Sequence, residues 1–320
     1  MKILNVEPSG YSVCAIQIWK SNGFSYLEKD LHQINSEEIF DDIDILIVRL
    51  QKKIDKTFLK RFPRLKMIIS ATTGTDHLDL ESLQSAGIEL VSLREHANFL
   101  KTIPSTAELT WGLICALIRN LPSAYEDVAL GNWNRDKFRG FQLYNKKIGI
   151  IGLGRIGQMV AKFGNVFDMH VGYYDPFVDS TLHFRYNSLD DLLESCDIIT
   201  VHVHLNKDSY HLLNQDNLSK VKKGSFLINT SRGNVWDEEA LVSVFNSGNI
   251  NGIAADVLSD ELGDIRKSAL WRLQQKGANV IITPHIGGAT YDAMWSCEEF
   301  LASYVVSRSI PYNVDIYSES

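Results

Sequence analysis

The 320-residue chain carries a formal net charge of −7, with 45% hydrophobic and 22% charged residues, an ordinary balance for a soluble globular protein. The acidic surplus argues against a nucleic-acid or anionic-membrane partner, and the length suggests two domains. The four cysteines, Cys14, Cys115, Cys196 and Cys297, show no CxxC or Cys/His ligand spacing and read as free thiols of a reducing, cytoplasmic compartment.

The apolar run at 3–6 is stopped by Glu7, too soon for a signal peptide. The longest helical apolar run, 109–118, falls far short of the ~20 residues of a membrane span. Strand-like runs at 3–6, 43–48, 65–71 and 88–93 alternate with amphipathic runs at 56–62 and 80–86, the latter stopped by Gly87. That alternation predicts a parallel sheet with helices on its faces. Pro104 opens a different texture. Ser105 reads as an N-cap, with Glu108 completing a capping box, ahead of an apolar helix running to Arg119. The polar segment 131–141, with Trp133, Arg135 and Arg139, reads equally as a surface loop or as an arm at a subunit contact.

The densest signal lies at 146–176. An apolar strand at 148–151 leads into Gly152, Gly154 and Gly157 in G-x-G-x-x-G spacing, then an amphipathic stretch at 158–167, then a second strand at 169–174 that ends in Asp175. The first glycine permits the tight turn, the second lets the backbone approach a pyrophosphate, and the third lets helix and strand pack closely. The helix start supplies N–H groups for the phosphates, and the carboxylate falls where it can accept ribose hydroxyls. Strand, turn, helix, strand and acid in that order predict a dinucleotide-binding fold. Further strands are expected at 198–203, 225–229, 252–257 and 280–283, and a final helix at 291–307 followed by a short tail.

Doubly wound sheets bind ligands beyond the carboxyl ends of their strands, and polar residues gather there: Asp175, 202–206, 230–232, Asp256 and His285. Arg232 could grip a carboxylate and a neighbouring carbonyl through its planar fork. His285 could protonate a carbonyl oxygen, and Glu261 could keep it charged. Each alone has a bland structural reading; their conjunction with the nucleotide motif favours reduction of a 2-keto acid. His202 and His204 alternate along an expected strand, but no third ligand is near and no metal site is expected. The sequon at 229–231 ends a strand and reads as chance.

The chain resembles the D-isomer-specific 2-hydroxyacid dehydrogenases, a family including D-3-phosphoglycerate dehydrogenases, D-lactate dehydrogenases and glyoxylate and hydroxypyruvate reductases. The likeness rests on GLGRIG with Asp175, NTSRG with Arg232, Asp256-Val257 with Glu261 five residues past the Asp, and TPHIGG with His285. It implies an α/β chain of two domains: a flavodoxin-like substrate-binding domain over 1–101 plus 289–320, and a Rossmann NAD-binding domain over 102–288 with a doubly wound parallel sheet. It also implies that Arg232, Glu261 and His285 are the catalytic set. NAD contacts would come from Gly152, Gly154, Arg155, Ile156, Gly157, Asp175, His204, Thr230, Ser231, Arg232, Asp256, His285, Gly287 and Gly288. Thr73 and Gly74 match the loop holding the substrate carboxylate, and Arg49 matches a further substrate contact in some members. A homodimer is expected.

Three departures stand out. His204 replaces a usual Pro in the adenine-pocket wall, Leu262 replaces a Pro common after the Glu, and no C-terminal regulatory domain is expected. Asp175 should repel a ribose 2′-phosphate, and no Arg follows it at 176–178, so NAD is expected over NADP. Two alternatives share the scaffold: formate dehydrogenase, which pairs its His with Gln, and a non-enzymatic NAD-responsive binding protein. The identity of the acid is not legible.

Overall fold

The computed structural model describes residues 1–35 and 37–309; the tail expected after the last helix lies, from residue 310 on, outside them. The chain forms two compact units, Met1–Thr102 with the chain from Thr290 on, and Ile103–Ala289.

The first unit runs β1 (Lys2–Asn5), α1 (Val13–Ser21), β2 (Ser25–Glu28), β3 (Ile45–Val48), α2 (Lys56–Leu59), β4 (Met67–Ser70), α3 (Leu80–Ser85), β5 (Glu89–Ser92) and α4 (Ala97–Leu100). Its five strands are all parallel, in the order β2-β1-β3-β4-β5, the flavodoxin-like arrangement. The apolar run of β3 is buried throughout, as a strand covered on both faces must be. Asp79 caps α3 by accepting from Ser82 N, and Gly87 ends that turn with φ +66°, a conformation that glycine adopts without a Cβ clash.

The second unit runs α5 (Ser105–Ile118), α6 (Leu121–Ala129), β6 (Lys147–Ile151), α7 (Arg155–Val166), β7 (His170–Tyr174), β8 (Phe184–Arg185), α8 (Leu189–Ser195), β9 (Ile198–Val201), α9 (Gln215–Leu218), β10 (Ser225–Asn229), α10 (Glu238–Asn246), β11 (Ile250–Ala255), α11 (Ala269–Gln275) and β12 (Val280–Ile282). The closing helix, α12 (Tyr291–Ser309), returns to the first unit and packs on α1. The seven strands are parallel in the order β12-β11-β10-β9-β6-β7-β8. The order reverses between β6 and β9, as in a doubly wound dinucleotide fold. One core, with Leu192, Val201, Leu227, Trp236 and Leu241, covers one face of the sheet. The other, with Trp111, Ile114, Ile150, Val160 and Ile228, covers the opposite face.

Two expectations need correction, at Ser105 and at the end of β9, and the edge strands and the segment 131–141 add what the sequence does not announce. The edge strands β2 and β8 have no apolar run to announce them; β2 is mostly exposed and β8 wholly so. The capping box at Ser105 does not form. Pro104 takes the N-cap position without a side-chain bond, and Ser105 lies inside the helix with its buried Oγ lacking a hydrogen-bond partner. The polar segment 131–141 contains a 3₁₀ turn, Arg135–Phe138, capped by Asn134. Finally, β9 stops at Val201, so His202 and His204 lie beyond the strand and do not share a face of it.

Candidate active site

The turn after β6 is shaped for close approach. Gly152 has φ +90°, and a Cβ there would lie 2.7 Å from Val203 Cγ1 and 2.8 Å from the His202 carbonyl oxygen. On Gly157 a Cβ would meet the Gly152 carbonyl oxygen at 2.1 Å, whereas Gly154 faces open space. Gly154 is the N-cap of α7 and offers no side-chain acceptor to the first-turn N–H groups. A turn of this shape leading into a helix N-terminus without a side-chain cap suits a diphosphate. Beside it Arg155 and Ile156 are half-buried, and Arg155 Nη1 donates to the Ile103 carbonyl at 2.8 Å.

Asp175, 8% exposed, stands just past β7. Its Oδ2 accepts from Leu153 N at 2.8 Å, and its Oδ1 from Phe177 N at 2.8 Å and Val178 N at 3.1 Å. The carboxylate is thus held by three amides, of which one, Leu153 N, comes from the Gly-rich turn. It keeps acceptor capacity, since each carboxylate oxygen takes about two bonds. Arg185 on β8 returns to this point. Its Nη2 donates to the Asp175 carbonyl at 3.0 Å, and its Nη1 lies 3.6 Å from Asp179 Oδ1. A reading confined to 176–178 missed this cation; the Phe-Arg pair ten residues on would have found it only with β8 in hand.

Past β9, His202 Nε2 is buried without a hydrogen-bond partner, and burial pushes the imidazole down to about 3. His204 is exposed, and its carbonyl accepts from Ser209 Oγ at 2.6 Å. A serine hydroxyl thus ties the loop that carries His204.

The ends of β10, β11 and β12 bring the candidate chemical groups together. Asn229 organises the first: its Oδ1 accepts from Ser231 N and Ser231 Oγ, and its Nδ2 donates to the Arg232 carbonyl at 2.9 Å. Thr230 Oγ1 lies 2.9 Å from Thr110 Oγ1 on α5. Arg232 Nη1 donates to the Ser231 carbonyl at 2.8 Å. Asp256, 1% exposed, organises the last. Its Oδ1 accepts from Thr283 Oγ1 at 2.6 Å and Ile286 N at 2.9 Å, and its Oδ2 from Gly287 N at 2.8 Å. Burial pushes this carboxyl up, opposed by those same donors. A Cβ on Gly287 would lie 3.0 Å from Asp256 Oδ2, a tight contact, whereas Gly288 faces open space.

His285, at φ +54°, projects from this turn. Its Nδ1 lies 2.6 Å from Glu261 Oε2, a charge-assisted length, while Glu261 Oε1 accepts from Leu258 N at 3.3 Å. With Nδ1 committed to the carboxylate, Nε2 is the ring nitrogen left for a reacting atom.

In the first unit, Thr73 and Gly74 are half-buried in the turn after β4, where the Gly74 carbonyl accepts from Thr72 Oγ1 at 2.8 Å. Arg49 is engaged within its own unit: Nη1 donates to the Ser9 carbonyl at 2.8 Å, and Nη2 pairs with Glu298 of α12, which is 1% exposed. Burial pushes the Glu298 carboxyl up, opposed first by the Arg49 charge. Among the described residues no group of three His, Cys, Asp or Glu is placed to hold a metal ion. Nor is any helix long and apolar enough to cross a membrane.

The family model for the D-isomer specific 2-hydroxyacid dehydrogenase NAD binding domain matches residues 111–287. A D-3-phosphoglycerate dehydrogenase of Methanocaldococcus jannaschii is 33% identical over 95% of this chain and 57% of its own length, so this chain spans little more than half of that relative. A glyoxylate reductase of Thermococcus onnurineus is 31% identical over 87% of this chain and 84% of its own. Among solved structures, D-lactate dehydrogenase of Aquifex aeolicus, complexed with NAD and lactic acid, superposes with a TM-score of 0.78 at 28% identity, covering 97% of this chain and 95% of that one.

Proposed function

This chain belongs to the D-isomer specific 2-hydroxyacid dehydrogenase family, and from that premise we propose that it interconverts a 2-keto acid and a D-2-hydroxy acid with NAD. The observation that carries the proposal is the 2.6 Å His285–Glu261 contact, on the same carboxyl-end surface as the Arg232 loop and the Gly-rich cradle.

NAD is held by the Gly152, Gly154 and Gly157 turn, the α7 amides with Arg155 and Ile156, and the Asp175 carboxylate. Thr230, Ser231, Asp256, Gly287 and Gly288 border its reactive end, and His204 its adenine end. When bound, the cofactor donates or accepts the hydride. The protein's own groups do the rest. Arg232 fixes the substrate carboxylate and polarises the carbonyl through charge-assisted bonds. In the reductive direction His285 Nε2 gives its proton to the carbonyl oxygen, and Glu261 stabilises the imidazolium that gives it. Thr73 and Gly74 remain in the substrate set on the family likeness. We leave Arg49 out of that set, because its guanidinium already serves Glu298 and Ser9.

A steady loss of NADH absorbance tests the reading, over pyruvate, glyoxylate, hydroxypyruvate, oxaloacetate, 2-oxoglutarate and 3-phosphohydroxypyruvate. At least one should be turned over by the wild type and not by His285→Ala. No turnover across the panel, or undiminished turnover in the variant, would remove the assignment; formate added with NAD covers the related activity. The chain is further proposed to form a homodimer through α6 and the segment after it. Leu121, Tyr125, Val128, Leu130 and Trp133 are all exposed there, Trp133 by 89%, an apolar surface larger than isolated side chains make. Sedimentation at micromolar concentration as a monomer would contradict this.

A further inference from the structure

Glu238 opens α10, six residues past Arg232, and is only 7% exposed. An acidic residue in the first turn of a helix needs no special role, since it complements the helix dipole. This one does something else. Its Oε1 accepts from Ser259 N at 2.9 Å. Its Oε2 accepts from Ser268 Oγ at 2.6 Å and Ala269 N at 3.1 Å. Ser259 stands four residues past β11, and Ser268 ends the connection as the N-cap of α11. A single buried carboxylate therefore ties both ends of the loop over 259–268, and Glu261 is carried inside that loop.

Two neighbours strengthen the tie. Asn234 Nδ2 donates to the Ser259 carbonyl at 3.2 Å. Gly233 packs so closely that a Cβ would stand 2.0 Å from the Leu258 carbonyl. The chain just after Arg232 thus grips the chain just before Glu261. The grip matters because Leu262 and Ile265 inside the loop are exposed and bring no buried apolar anchor of their own.

We propose that Glu238 is a positioning residue for the proposed reaction: by closing the 259–268 loop at both ends it fixes Glu261 against His285 Nδ1. This rests on the dehydrogenase reading for its consequence in turnover, but the geometry it predicts can be read without turnover. Glu238→Gln is the informative change. One amide oxygen can still accept from Ser268 Oγ and Ala269 N, while the new NH₂ faces the Ser259 N–H and releases the Glu261 side of the loop.

The experiment uses the full chain without added cofactor and follows the deshielded Nδ1–H proton of His285 by NMR, assigned by its loss in Glu261→Gln. In Glu238→Gln this signal should vanish or move upfield, with the fold retained by circular dichroism. In the presence of keto acid and NADH the same variant should lose roughly 10- to 100-fold in kcat, the scale of an ångström-level misplacement, with NADH affinity by fluorescence changed less than about 3-fold. Ser268→Ala, which removes one of the two far-end bonds, leaves the Ala269 N–H in place and spares Ser259, should give a smaller loss in both readouts. An unmoved proton signal in Glu238→Gln, or its absence from the wild type, would overturn the proposal. A lowered Tm with unaltered signal and kcat would leave Glu238 a stabilising residue only, and also overturn it. Failure of the dehydrogenase reading shows separately, as a wild type with the proton signal intact and no keto acid turned over.

Discussion

His285 keeps its left-handed backbone because Asp256 holds its turn from two sides. The Asp256 carbonyl accepts from His285 N at 2.9 Å, and its carboxylate accepts from Ile286 N and Gly287 N. Non-glycine residues at positive φ cost free energy and persist where surroundings over-determine them. Asp256→Asn replaces one acceptor with a donor facing an amide. The expected outcome is a loss of about 1–3 kcal/mol in unfolding free energy, with kcat lowered at least about 10-fold as the imidazole drifts. Denaturant titration and steady-state kinetics check both, and wild-type values for the pair would refute the turn-holding role.

Glu261→Gln removes the counter-charge beside the imidazole and keeps the shape. Reduction should slow at least about 10-fold, because the imidazole loses the carboxylate that orients it as proton donor. Steady-state kinetics with keto acid and NADH are the measurement. A wild-type kcat would separate Glu261 from the acid/base pair.

Arg232→Ala should lower kcat/KM for the keto acid by roughly 10- to 150-fold, the equivalent of about 1.5–3 kcal/mol for charged hydrogen bonds. NADH binding, followed by fluorescence, should change little. Comparable losses in both would move Arg232 to the cofactor side of the site.

The parts that could be read from the sequence are those where one short run had one explanation. Buried parallel strands such as β3, β9 and β10 are covered on both faces and so are built mostly of apolar residues, which makes them visible as runs. The Gly152–Gly157 turn is visible because a Cβ on Gly157 would lie 2.1 Å from the Gly152 carbonyl oxygen, and Gly152 itself takes φ +90°. Edge strand β8 has neither signature, and with it went Arg185, which touches Asp175 only once β8 pairs with β7. The tie made by Glu238 is not legible in the sequence, since its partners Ser259 and Ser268 lie 21 and 30 residues away. Ser105 shows the reverse error. The S-x-x-E spacing was present, but Pro104 entered the helix geometry first and displaced the cap.

That arginine changes how the nucleotide preference should be tested. In the proposed cofactor site the Asp175 carboxylate would oppose a ribose 2′-phosphate, while the Arg185 guanidinium beside it would favour one. The wild type should prefer NADH, since like charge in contact costs several kcal/mol. Asp175→Ser should narrow the NADH/NADPH ratio of kcat/KM, and adding Arg185→Ala should restore part of it by weakening NADPH. An NADPH efficiency equal to that of NADH in the wild type contradicts the role given to Asp175.

His202 supplies a pH prediction with a definite sign. Its imidazole is pushed by burial from an ordinary value of 6.5 down to about 3, with Nε2 lacking a partner. Above 6.5 the ring is neutral in folded and unfolded chains alike. As pH falls below that, the unfolded chain takes up a proton that the folded protein resists until about 3. Stability should therefore decline through this window by up to about 1.4 kcal/mol per pH unit from this one group. Carboxylates add slopes of their own, so the variant His202→Gln is compared with the wild type by urea unfolding at a series of pH values. The difference in stability between the two should shift in favour of the variant as the pH drops. A difference that stays constant from neutral pH to the acid end would show that His202 titrates normally, and that the pocket beside Gly152 admits its charge.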